Sequence, residues 1–171
     1  MSQGWRRWSQ LQKDIESRFA DSIGGRLRLR CVGYRGAHDG DGRCYFTFDG
    51  KEIGNCCTLS SMVHRGGRFN PECHDGAIPL DWSNPPSDDE RKTGETMELG
   101  EFSQGDVLST CLAYRNISIE DALCSKNPIM LALAVVDRRV GKRRLRALRE
   151  QPKHPLVAKL YELRLACEAG G

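Results

Sequence analysis

Long apolar runs are missing from this chain of 171 residues. The longest, 129–136, is eight residues and falls far short of the about 20 that a membrane-spanning helix needs. The opening MSQGWRRWSQ carries positive charge with no apolar run behind it, so it does not read as a secretory signal. A cytoplasmic protein without membrane contact is therefore expected, its eight cysteines reduced. A phosphate-cradling glycine loop is missing too: Gly24-Gly25 and Gly66-Gly67 lack the spacing and the following lysine. Histidine is scarce, with four in all. His-Asp-Gly occurs at His38-Asp39-Gly40 and again at His74-Asp75-Gly76, but among turn-forming residues. A His-Asp phosphohydrolase would need further His and Asp ligands on helices, so the turn reading wins. Residues 39–42 hint at a calcium loop, yet its twelfth position is Gly50, where a bidentate Glu belongs. No nucleophile elbow, helix-start cysteine or oxyanion-type turn accompanies a Cys–His pair such as Cys73 with His38. These gaps point away from an enzyme and toward a non-catalytic binding protein.

What the chain does have is charge, unevenly placed. The net charge is only +3. From Glu72 to Glu101, however, nine acids face only Arg91 and Lys92. From Arg138 to Arg164, ten basic residues face only Glu150 and Glu162. Such blocks mark interaction surfaces or neutralise each other in space.

Periodicity supplies the fold. Trp8, Leu11, Ile15 and Phe19 recur at helical spacing over residues 5–19. In RLRLRCVGY, Leu27, Leu29 and Cys31 alternate with Arg26, Arg28 and Arg30. RCYFTFDGKEIGNCCTL reads as a hairpin turning at Asp49-Gly50, a pair that tolerates the positive φ such turns require. The spacing thus predicts a three-stranded antiparallel meander whose apolar face the first helix can cover. Residues 64–102 lose all periodicity and read as a long acidic loop, disordered around 84–94. Beyond it the chain turns helical. Ser103 or Asp106 caps VLSTCLAYR, and SIEDAL is a capping box with Asp121 where Glu or Gln is usual. Pro128 opens a helix that Gly141 interrupts or ends, and LVAKLYELRLACEA closes the chain. The expected class is α+β in one compact domain: helix plus sheet (1–63), acidic connection (64–102), helical half (103–171).

Two surfaces suit nucleic acid. Arg26, Arg28 and Arg30 share a sheet face with Arg43 and Tyr45, offering charge for phosphate and a ring for a base. The stretch DRRVGKRRLRALRE supplies the second. Its helical phase buries Leu145 and Leu148 and leaves Arg138, Arg139, Lys142, Arg143, Arg144, Arg146 and Arg149 toward the open side. Its one-signed charge allows few salt bridges within the helix. The expected partner is nucleic acid, RNA above all, bound without sequence preference. An acidic protein partner is the alternative, as in an accessory or immunity-type protein. No cofactor is expected. A structural zinc is the metal to consider, because Cys56, Cys57, His64, Cys73 and His74 fall within nineteen residues. Against it, Cys56 and Cys57 are adjacent, and neighbouring strand residues face opposite ways.

The segments WSQLQKDIESRF, YRGAHDGDGRCYFTFDGKEI, SIEDALCSKNPIMLALAVVDRRVGKRRL and HPLVAKLYELRL resemble an uncharacterised family of small bacterial proteins often labelled "nonstructural protein". The resemblance covers residues 5–58 and 107–166 and is most specific in DRRVGKRRL and HPLV…YELR. It implies a compact domain with a helical C-terminal half, and carries no activity with it.

Overall fold

The structure, a computed structural model, describes residues 8–34, 42–64, 101–149 and 153–170. Helix α1 (Trp8–Glu16) buries Trp8, Leu11 and Ile15. It ends sooner than its stripe suggests. The N–H of Ala20 goes to Val136 O (2.8 Å) and the N–H of Arg138 to Arg18 O (2.8 Å), so Phe19 forms a bridge to Asp137 rather than another helical turn. Phe19 is still buried.

Strands β1 (Leu27–Gly33), β2 (Gly42–Phe48) and β3 (Lys51–Cys57) pair in that order, antiparallel throughout. Asp49 and Gly50 turn the hairpin with φ of 50° and 82°, the positive angles anticipated for this pair. Phe46 pairs with Gly54 and Thr47 with Glu52, which leaves Ile53 as the extra residue of a bulge. At the other end Gly42 is obligatory. A Cβ there would lie 2.1 Å from Val32 O and 2.6 Å from the Gln104 amide.

The sheet's inner face carries Leu27, Leu29, Cys44, Phe46, Ile53 and Cys56, all buried. Helix α1 packs chiefly on β1; α3 (Gln104–Tyr114) lies across β2 and β3. Ser103 caps α3 in a full capping box with Asp106. Ser118 caps α4 (Ile119–Leu123) by accepting from the Asp121 N–H. Asn127 caps α5 (Pro128–Val136), where Pro128 costs nothing because first-turn N–H groups have no helical partner. Seven of the nine α5 residues are buried, as expected of a helix apolar all round. It is the hub on which α3, α4 and α7 (Pro155–Ala169) pack. The short α2 (Thr58–His64) follows β3 directly.

One sequence expectation needs correcting. Gly141 neither interrupts nor ends α5. The helix stops at Val136, Asp137 adopts an extended backbone (φ −73°, ψ 136°), and Gly141 is the N-cap of a separate helix, α6 (Lys142–Ala147). The most basic stretch of the chain is thus a tight turn followed by six helical residues. The architecture is α+β, with an N-terminal helix on a three-stranded antiparallel sheet and a helical C-terminal half.

Candidate nucleic-acid interface

The basic turn is held from beneath by a buried polar knot. The Asp137 carboxylate has no solvent exposure. It accepts from the Arg139 backbone N–H (2.8 Å), from Arg139 Nε (3.0 Å) and Nη2 (2.8 Å), and from the Tyr114 hydroxyl (2.7 Å). Arg164 of α7, also buried, donates to Val135 O (2.8 Å), Asp137 O (2.7 Å) and Val140 O. Those carbonyls end α5 and form the turn. A cation here satisfies orphan acceptors and meets the negative end of the helix dipole. Burial works against the Asp137 carboxylate, but the hydrogen bonds from Arg139 and Tyr114 outweigh it and hold its pKa below the usual range. Burial and the bond to Asp137 push the Tyr114 hydroxyl well up, so it stays a donor. Burial lowers the Arg164 guanidinium, opposed by Glu168.

Above this knot the arginines spread outward. In α6, Leu145 and the following Leu148 are buried, each worth about 1.5–3 kcal/mol if its burial is complete. At about 100° per residue, Arg143 and Arg146 then project away from the core. Arg144 reaches Glu120 (3.0 Å) and Lys142 reaches Glu168 (3.3 Å), so the helix is tied at its flanks to α4 and α7. Arg138, Arg143, Arg146 and Arg149 are exposed, and their side chains have no ion-pair partner among the described residues.

Two clefts flank the segment. One, of about 500 Å³, is lined by Arg18, Arg115, Arg138 and Arg139 together with Asp14 and Asp137. Arg18 and Arg115 were not legible as site residues: the pairing of Phe19 with Asp137 brings Arg18 beside the turn, and the bonds of Arg115 to Asp14 and Arg18 bring the end of α3. The other, of about 530 Å³, joins Arg26 to Lys142, with Glu168 also in its wall.

The sheet arginines are placed differently. Arg26 forks onto Asp49 (2.9 and 2.6 Å) and lies over the Phe48 ring (4.5 Å). Arg28 pairs with Glu16 (2.9 Å), whose other oxygen accepts the edge N–H of Leu29. Arg43 binds Glu52 (2.9 Å) and lies over Tyr45 (4.2 Å), which is half-buried. The register does set Arg28, Arg30, Tyr45 and Arg43 on one face. Only Arg30 of these is exposed.

Of the zinc candidates, only Cys56 and Cys57 have described side chains, and these two point to opposite faces of β3. Cys56 faces the core opposite Cys44, while Cys57 contacts the Tyr34 hydroxyl (2.7 Å) from the other face. The His64 side chain, Cys73 and His74 fall outside the described residues, as does the acidic stretch up to residue 100. Among the described residues no group of three or more His, Cys, Asp or Glu is arranged to hold a metal. The inner face instead gathers thiols. Cys31 and Cys44 sit 2.9 Å apart, and the Gln104 amide donates to Cys31 (3.2 Å). Burial pushes the Cys44 and Cys56 thiols well up and that of Cys111 to about 12, which keeps these three protonated and unreactive.

Residues 7–165 match the SF0329 protein family, an uncharacterised family, over both halves of the fold and the middle between them. The chain belongs to that family. No curated protein and no solved structure matches it. The matched span contains the whole Asp137–Arg164 knot, so the family's extent includes the device that shapes the basic turn. Among the described residues no helix is long and apolar enough to cross a membrane.

Proposed function

We propose that the protein is a non-catalytic, sequence-tolerant nucleic-acid-binding protein, with RNA as its target and the turn and helix from Arg138 to Arg149 as its contact. The observation that carries this reading is the state of Arg138, Arg143, Arg146 and Arg149: exposed, of one sign, and without carboxylate partners among the described residues. Leu145 and Leu148 anchor them to the core. Guanidinium groups so presented exchange water and counterions for phosphate oxygens and read backbone rather than base. Arg30 lies on the sheet and adds a further cation.

The test is a titration of the intact chain with fluorescent single-stranded RNA over a salt series. Four phosphate contacts predict a log–log slope of about −3, from about −0.7 per contact on a single strand. A slope near zero, or no binding at low salt, overturns the reading. So does purification with one stoichiometric acidic protein that survives nuclease, which would make the basic surface a protein interface.

A further inference from the structure

The cleft beside Asp137 differs in kind from the convex face of α6. Three separate parts of the chain wall it: the turn after α1 with Arg18, the C-cap of α3 with Arg115, and the α5–α6 turn with Arg138 and Arg139. Its volume of about 500 Å³ is within the range of small-ligand sites.

The charges in it do not cancel. Asp14 is taken by Arg115 (3.0 Å), and Asp137 by Arg139 and Tyr114. Arg18 donates only to neutral acceptors, the carbonyls of Tyr114 (3.4 Å) and Arg115 (3.1 Å). Arg138 is fixed through its backbone N–H, while its exposed side chain has no partner among the described residues. Among the described residues, two guanidinium charges therefore remain uncompensated at one concave spot. Arg18 and Arg139 also lie over the Tyr114 ring (5.9 and 5.7 Å), so both are positioned before anything binds. Of the two spare cations, Arg18 is thus largely ordered in advance, while Arg138 is ordered on binding.

We propose that this cleft is a phosphomonoester site, taking a terminal phosphate group on Arg18 and Arg138, with Arg115, Arg139 and the Asn116 side chain around it. The charge count selects the ligand class. A phosphodiester link carries one negative charge, which the open α6 face can meet one arginine at a time. A phosphomonoester carries about −1.5 to −2 near neutral pH and offers three acceptor oxygens, the complement of two spare guanidinium groups with several donors each. Such a group occurs on a free mononucleotide and at the 5′ end of an RNA. For the second source the proposal rests on the nucleic-acid reading above; for the first it does not.

The experiment has two arms on the full chain. Calorimetry compares adenosine 5′-monophosphate with adenosine. Anisotropy compares one short oligoribonucleotide bearing either a 5′-phosphate or a 5′-hydroxyl. The expected result is a preference of about tenfold or more for the phosphorylated form in at least one arm, lost in Arg138→Ala. Arg138 is the clean variant because its side chain has no partner to lose among the described residues. Arg18→Ala should abolish the preference too, but it also removes donors to the end of α3. Preference in the oligonucleotide arm alone identifies an RNA 5′ end; preference in the nucleotide arm alone identifies a free nucleotide. Arg143→Glu with Arg146→Glu should weaken both oligonucleotides in parallel and leave their ratio intact. Binding of the nucleotide with no RNA binding at all removes the nucleic-acid reading and keeps the site. Equal affinities in both arms, or a preference that survives Arg138→Ala, overturn the site.

Discussion

The arginines of the sheet and those that follow Asp137 are both at the surface, yet they are employed differently. In the sheet half, Arg26, Arg28 and Arg43 each face a carboxylate, supplied by the hairpin, by the end of α1 and by a neighbouring strand. After Asp137, four arginines have no acid opposite them among the described residues. The difference follows from geometry. Asp49 stands across the hairpin from Arg26, whereas Arg28 is met by the end of α1 and Arg43 runs along the sheet over Tyr45 to Glu52, whose register partner is Thr47. A six-residue helix docked by two leucines projects its remaining side chains into solvent. The lesson is that a basic run is informative only after its internal partners are counted.

The comparison breaks most severely at the residue beneath it. Arg164→Met keeps the aliphatic stem and removes the donors to three carbonyls; urea unfolding should show a loss of about 3–5 kcal/mol, as for other buried charges stripped of their network. A loss under about 1 kcal/mol would mean that the knot does not hold the turn. Reversing Arg143, Arg146 and Arg149 together to Glu should lower RNA affinity about 100-fold, about 2.7 kcal/mol, with the urea midpoint unchanged; retained affinity would shift the contact elsewhere. Asp137→Asn should cost about 1–2 kcal/mol and flatten the acid limb of stability. Because the folded carboxyl titrates below its ordinary value, its contribution is complete above the normal Asp range near about pH 4 and fades as the pH falls further. A wild-type acid limb identical to that of the variant would contradict this. Smallest of all, Arg28→Gln and Arg43→Gln should each change RNA affinity by less than about twofold and stability by less than about 1 kcal/mol. A larger drop in affinity would erase the distinction between the two surfaces.

Much of this fold could be read from local signals. Asp49-Gly50 marked the hairpin, Ser103 and Ser118 marked helix starts, and Pro128 marked α5, because each acts over a few residues. Leu145 and Leu148 were correctly placed in the core although the helix beneath them is not continuous with α5. The break at Asp137 was not legible, since it is fixed by Arg164, 27 residues further on. That α3 in particular covers β2 and β3 was not legible either, because no local signal tells which member of the helical half packs on the sheet. The cleft beside Asp137 was hidden for the same reason. Arg18 and Arg138 are 120 positions apart, joined by a backbone bond between them.

Arg164 also imposes an order of events. The carbonyls of Val135 and Val140 gain the Arg164 donor when the last helix docks, and that of Asp137, which also accepts from the Val140 N–H (3.0 Å), gains a second one. During synthesis the chain emerges N-terminal end first, so the basic turn leaves the ribosome before the side chain that shapes it. Until residue 164 follows, α5 has no guanidinium at its end, and the turn is held by Asp137 and the Phe19 bridge without it. The surface proposed to meet nucleic acid is therefore completed among the last parts of the fold, and a chain cut short in α7 before residue 164 would carry all seven basic residues of that segment without the guanidinium beneath them.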